Sequence, residues 1–282
     1  MTSLTVPLVP QGDAGSAYRL LNEYEGQIER PNVLDYGTNL NVQVDLVEVI
    51  YGTLAPEGDL ATLIIADFQF SSLDPPRRFH SARITFHFRD SDPKDRNPPE
   101  VLKIAPQGLF SMNHTEKQQE LKRGVNLSVS GGYGPAGISL GFDWRLTESM
   151  TRHDYAKLTG VRNVIDRGRP PKNAAVWSLD ENPSDDKGIP SFLRAVILLK
   201  RKSYENFIAI VSVDAKVDWK YKLEKRAGRV KVDPVTFDPD PTRPCNTVHG
   251  IDPKNLGLID LNELKAVQSN VKMFECRGKQ GV

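Results

Sequence analysis

The stretch "NFIAIVSVDAKVDWKYKL" constrains this chain more than any other. Phe207, Ala209, Val211, Val213, Ala215, Val217, Trp219, Tyr221 and Leu223 share one face, while Asp214, Lys216, Asp218, Lys220 and Lys222 take the other. Side chains that repeat every second residue belong to a half-buried strand, because only an extended backbone sends neighbours to opposite faces. A strand this long must coil or bend, so a bulge is expected near its middle. The lysines protect its outer side against unwanted pairing.

The same period recurs along the chain. "NVQVDLVEVIYGTL" alternates through Val42, Val44 and Leu46. "DLATLIIADFQF" sets Thr62, Ile64, Ala66, Phe68 and Phe70 on one side. "FHSARITFHFRD" sends Ala82, Ile84, Phe86 and Phe88 inward and Arg83, Thr85, His87 and Arg89 outward. In "GIPSFLRAVILLKRK", Leu193 to Leu199 is apolar on both faces, which predicts a central strand covered on both sides. "TEKQQELKR", residues 115–123, is compatible with two helical turns or with an exposed strand. "HDYAKLTGV", "NAAVWSL" and "VKMFECR" read as strands, and short helices are expected near Tyr18–Tyr24 and Leu258–Val267. Pro75-Pro76 and Pro98-Pro99 separate elements. About nine strands without a βαβ rhythm predict an all-β fold, an antiparallel β-sandwich or flattened barrel with few short helices. Residues 1–38 read as an N-terminal arm on the body, 39–235 as the sandwich and 236–282 as a C-terminal extension of one structural domain.

"GYGPAG" fits the G-x-G-x-x-G spacing through Gly132, Gly134 and Gly137. That motif needs a strand before it and a helix after it, where a helix N-terminus meets a pyrophosphate. Val125, Leu127 and Val129 supply the strand. Ile138, Leu140, Phe142 and Trp144 then alternate with Ser139, Gly141, Asp143 and Arg145, which is a second strand. The glycines therefore turn a hairpin. Nucleotide binding is excluded, and no cofactor is expected.

Formal net charge is +1, so no global field favours nucleic acid or anionic lipid. "MTSLTVPLVPQGDAG" has neither a basic nor an apolar signal region, and no apolar run approaches a membrane helix, so the expectation is a cytoplasmic protein. Cys245 and Cys276 lie far apart without a C-x-x-C pair, and with His249 and Asp252 they make no convincing zinc set. No metal is expected. "DENPSDDKG", containing Asp180, Glu181, Asp185 and Asp186, departs from calcium-loop spacing and reads as a hydrated loop.

Arg152-His153-Asp154-Tyr155 is the densest ionisable run. In a strand His153 and Tyr155 share one face, where they would exchange a proton with a substrate at a cavity mouth, and Asp154 takes the other. His87 and Arg83, beside Arg89, would grip a carboxylate or phosphate. Trp144, Trp177 and Tyr133 would line an apolar cavity. The hairpin of residues 124–147 has two amphipathic strands near the ~9–11 residues that span a bilayer, although the same alternation describes a soluble core hairpin.

"AVWSLDENPSDDKGIPSFLRAVILLKR" and the hairpin resemble uncharacterised proteins of filamentous fungi, some of which accompany natural-product gene clusters. The resemblance implies a role in secondary metabolism and transfers no catalytic residue. Together these readings predict a soluble sandwich that binds a hydrophobic small molecule, as a cofactor-independent cyclase or isomerase. A non-enzymatic or membrane-acting module built on the 124–147 hairpin is the alternative.

Overall fold

The computed structural model describes residues 27–36, 40–73, 78–92, 98–124, 145–166, 171–184, 187–217, 234–240, 251–261, 268–269 and 274–275. The hairpin turn, both cysteines, His249 and the segments around Tyr18–Tyr24 and Trp219 to Leu223 lie outside these residues. The described chain is all-β. Thirteen strands form two antiparallel sheets that face each other and do not close into a barrel.

In chain order the strands are β1 (Asn32–Tyr36), β2 (Leu40–Thr53), β3 (Leu60–Ser72), β4 (Phe79–Asp90), β5 (Glu100–Ala105), β6 (Gly108–Gly124) and β7 (Arg145–Asn163). They continue with β8 (Ala174–Asp180), β9 (Phe192–Lys200), β10 (Phe207–Val217), β11 (Val235–Phe237), β12 (Gln268–Ser269) and β13 (Phe274–Glu275). One sheet runs β1-β2-β3-β9-β12 with β5 also on β9; the other runs β11-β10-β4-β8-β7-β6-β13.

The period-2 pattern sets the register. β10 lies antiparallel to β4 with Ala209 opposite Phe88, Val211 opposite Phe86 and Val213 opposite Ile84, so both apolar rows fall on one face. That face meets Val42, Val44, Ile64, Ala66, Phe68, Leu193, Ala195 and Ile197 of the other sheet in one continuous buried cluster. Asp214 stands opposite Arg83 on the outer side, the opposite-charge pairing expected across a ladder. Between Lys216 and Val217 the register shifts by one residue, with the extra residue, His80, in β4.

Residues 115–123 settle as strand, within β6. β9 is central, paired with β3 on one side and with β5 and β12 on the other, and buried on both faces. Its second face belongs to an additional small core. Ile50, Leu63, Ile65, Val196 and Leu198 are covered there by Ile251, Leu256 and Leu261 of the C-terminal segment. That segment carries a 3₁₀ turn, Pro253–Leu258, started by Asp252, whose side chain accepts from the Lys254 amide. The turn comes so close that Gly52 has no room for a Cβ, which would stand 1.9 Å from the Pro253 carbonyl oxygen.

Candidate functional site

The elements that place the expected site residues are β4, β7 and β8, which are neighbours in one sheet. Trp177 in β8 lies opposite Ile84 of β4 and Gly160 of β7. It is fully buried. Its ring packs against Phe68 at 5.6 Å and edge-on to Phe86 at 6.5 Å, and its Nε1–H donates to the Pro106 carbonyl at 3.0 Å. Both faces and the polar tip are thus occupied within the core.

His87 and Arg83 sit four residues apart in β4, on the same side of the strand, yet meet different surroundings. Arg83 is exposed. His87, expected to face outward, is only 6% exposed. Ile165 and Asn173 stand beside it: the Asn173 side chain ties to the Ile165 amide at 2.9 Å and the Ile165 carbonyl at 3.0 Å, and the Phe88 amide donates to the Asn173 carbonyl. Burial, and then the nearby Arg89 charge, lower the His87 pKa to about 4 against a hydrogen bond with the Ile165 backbone. Its Nε2 has no hydrogen-bond partner. Arg89 is engaged in an ion pair with Asp166. The imidazole is thus buried, with Arg83 exposed and Arg89 paired to Asp166.

In β7, burial alternates as the sequence predicts. Asp154, Ala156 and Leu158 turn inward, while Tyr155 and Lys157 turn away, with the Lys157 ammonium 5.9 Å from the Tyr155 ring centre. Asp154 and Tyr155 consequently address opposite sides of the sheet. His153 pairs with Glu116 of β6 along the ladder. Trp144 and Tyr133 lie outside the described residues.

Asp154 marks a boundary. β7 pairs with β8 only from Lys157 to Asn163, and β6 meets β13 only at Phe110 and Ser111. From the Thr115–Asp154 pair to the Gly124–Arg145 pair, β6 and β7 pair with each other and, among the described residues, with nothing else. A register shift between Met112 and Thr115 marks the departure. At ~3.3 Å per residue this stretch of ribbon is roughly 30 Å long. Glu116 stands opposite His153, Lys117 opposite Arg152, Gln118 opposite Thr151 and Glu120 opposite Ser149. In the same register Gln119 stands opposite Met150, Leu121 opposite Glu148 and Arg123 opposite Leu146, so the ribbon's sequence is mostly polar with Leu121, Leu146 and Met150 sharing one face.

At its base, the Asp154 carboxylate accepts from the Ser184 hydroxyl, and the Asp154 backbone carbonyl accepts from the Asn182 side-chain amide at 3.1 Å. Asn182 is itself buried, and its side-chain oxygen accepts from the Ser184 amide at 2.9 Å. These partners come from the loop "DENPSDDKG", read from sequence as hydrated. Its Asn-Pro-Ser run carries the one available signal, an Asn that caps the amide two residues on. Nearby, Glu181 pairs with Arg78 at 3.0 Å and with His80.

Another polar depression lies between Asp90, Arg201, Lys202 and Glu205, with room for little more than a water molecule. Arg201 is buried there, its guanidinium 5.6 Å from the Tyr51 ring and 5.9 Å from that of Tyr204, donating to the carbonyls of Ala61 and Ser203. Burial pulls its pKa down. Two aromatic faces and two backbone carbonyls account for this cation structurally. Among the described residues no group of three or more His, Cys, Asp or Glu is placed to hold a metal.

The described residues define an antiparallel two-sheet sandwich in which β6 and β7 run on as a two-stranded ribbon paired, among those residues, only with each other. No family model matches the chain and no curated protein matches it. Among solved structures it is similar to the Clostridium perfringens NetB toxin in the membrane-inserted form, with a TM-score of 0.27 and 11% identity over 71% of this chain and 84% of that chain. An overlap at that level decides neither fold nor activity. No described helix is long and apolar enough to cross a membrane, which leaves strands unaddressed.

Proposed function

We propose that the protein acts on membranes, with the β6–β7 ribbon as a stalk that presents residues 125–144 to a lipid bilayer. The observation that carries this reading is the departure of β6 and β7 from the sandwich with no other described strand beside them. An isolated two-stranded ribbon is at best marginal in water, so one this long requires another surface. The sequence beyond it is suited to lipid. In the sequence, Val125, Leu127, Val129, Ile138, Leu140, Phe142 and Trp144 alternate with Asn126, Ser128, Ser130, Ser139, Gly141 and Asp143. An apolar face toward lipid and a face of small polar residues away from it is the alternation of a membrane strand.

A single ribbon cannot enter hydrocarbon with its edges open, because unpaired backbone groups are too costly there. The edges of β6 and β7 would therefore pair with those of neighbouring copies. The soluble cyclase or isomerase reading draws less support from the placed residues: Trp177 is enclosed by core, and the Asp154 carboxylate is taken up by Ser184.

Liposomes loaded with a self-quenched dye test the proposal. Wild-type protein is expected to release dye, while Leu140→Asp keeps its circular dichroism and melting temperature but releases none, since a carboxylate at a lipid-facing position costs several kcal/mol. Intact vesicles with wild-type protein, or a Leu140→Asp variant that unfolds in solution, would overturn it in favour of a core hairpin.

A further inference from the structure

At the root of the ribbon, one strand is interrupted and the other is tied down. β6 shifts register between Met112 and Thr115, which bends a strand and loosens its ladder. Directly across from Thr115, Asp154 is held twice by the loop that follows β8: its carboxylate by the Ser184 hydroxyl and its backbone carbonyl by the Asn182 amide. Asn182 is 2% exposed and Asp154 9% exposed, so water competes poorly for these bonds. The Asn182 oxygen also takes the Ser184 amide, which fixes the loop that does the holding. Outward of this point no described strand supports the ribbon. Inward of it, Ala156 and Leu158 are locked into the main core.

We infer that Asp154, Asn182 and Ser184 form an orientation clamp, and that the β6 register shift across from it is the hinge about which the whole ribbon swings when the clamp opens. A two-stranded ribbon lacks the lateral neighbours that stiffen a sheet, so its angle to the sandwich is decided at its root. Three hydrogen bonds, two of them made by the buried Asn182 carboxamide, supply a discrete holding point, and a loop of three residues can release it without disturbing the core. The three residues are positioning groups with no part in any chemistry. The inference goes beyond the membrane reading, since the clamp sets the ribbon's angle whether or not the tip meets lipid.

Spin labels attached at Gln118→Cys on the ribbon and Lys202→Cys on the sandwich, with Cys245 and Cys276 replaced by serine, read that angle as a distance distribution. The unmodified clamp is expected to give one narrow peak. Asn182→Ala should at least double its width, Ser184→Ala should broaden it less, and Ser184→Thr, which keeps the hydroxyl, should restore it. Asn173→Ala serves as control: it removes another buried asparagine with three local hydrogen bonds, remote from the ribbon, and should lower the melting temperature without broadening the peak. Should Asn182→Ala fail to fold, Ser184→Ala decides alone. A peak as narrow in the folded clamp variants as in the parent, or equal broadening in Asn173→Ala, would overturn the inference. Dye release plays no part in this readout, so the clamp and the membrane proposal fail separately.

Discussion

Gly160 shows how one residue's lack of a side chain organises others. It lies in β7 opposite Trp177, and a Cβ there would stand 2.1 Å from the Pro106 carbonyl oxygen and 3.1 Å from the Trp177 ring. That carbonyl is the acceptor for the indole N–H, so the bare glycine lets the backbone come near enough to satisfy a polar group buried in an apolar core. Gly160→Ala is therefore expected to destabilise the protein by about 1–3 kcal/mol, the usual cost of overpacking. A denaturant titration that gives a midpoint equal to wild type would count against this packing. From the sequence, Trp177 was legible as a residue on a strand face, but whether it lined a cavity or filled a core depended on Phe68, Phe86 and Pro106, which are distant in the chain.

At the scale of elements, the C-terminal segment over β2 and β3 is held by close backbone approach as well as by the burial of Ile251, Leu256 and Leu261. Gly52 lies under Pro253, Gly257 lies under Leu54 with its amide donating to the Leu54 carbonyl, and the Lys103 ammonium donates to the Gly257 carbonyl at 2.9 Å. Gly52→Ala pushes this strap away from the sheet. The expected result is faster hydrogen exchange at the Gly257 amide with the amides of β4 and β10 still protected, because local opening need not involve the main core. Uniform loss of protection would show that strap and sandwich unfold together. The strap was not apparent from sequence, where residues 236–282 read only as an extension. β3 carried a hint: Leu63 and Ile65 on its second face are as apolar as Ile64 and Ala66 on the first. The β6–β7 ribbon shows the opposite difficulty. Residues 115–123 carry too little apolar period to choose between helix and strand, and pairing with β7 makes the choice.

For the whole molecule, His87 couples folding to acidity. Its pKa is about 4 in the folded protein and 6.5 for the ordinary side chain, so the unfolded chain binds its proton more readily between those values. The contribution is fully present above pH ~6.5 and is lost as pH falls toward 4. Equilibrium unfolding across that window should show stability declining less steeply in His87→Gln than in wild type. Equal slopes would mean that protonated His87 reaches solvent without unfolding.

The strands and their inward rows were determined by the sequence itself, because period 2 is a local consequence of an extended backbone: Phe207 to Val213, Ala82 to Phe88 and the doubly apolar Leu193 to Leu199 all fall where their alternation puts them. The inward turn of Asp154 and the outward turn of Tyr155 were equally local. Tertiary structure alone decided what each face meets. His87 alternates outward yet lies buried beside Ile165 and Asn173, and Asp154 finds Asn182 and Ser184 only because β7 pairs with β8. The ribbon, too, pairs with β8 no further because β8 stops at Asp180 while β7 runs on. Alternation fixes the direction of a side chain within its own strand; burial and partnership depend on which distant segments pack against that strand, and no local period encodes them.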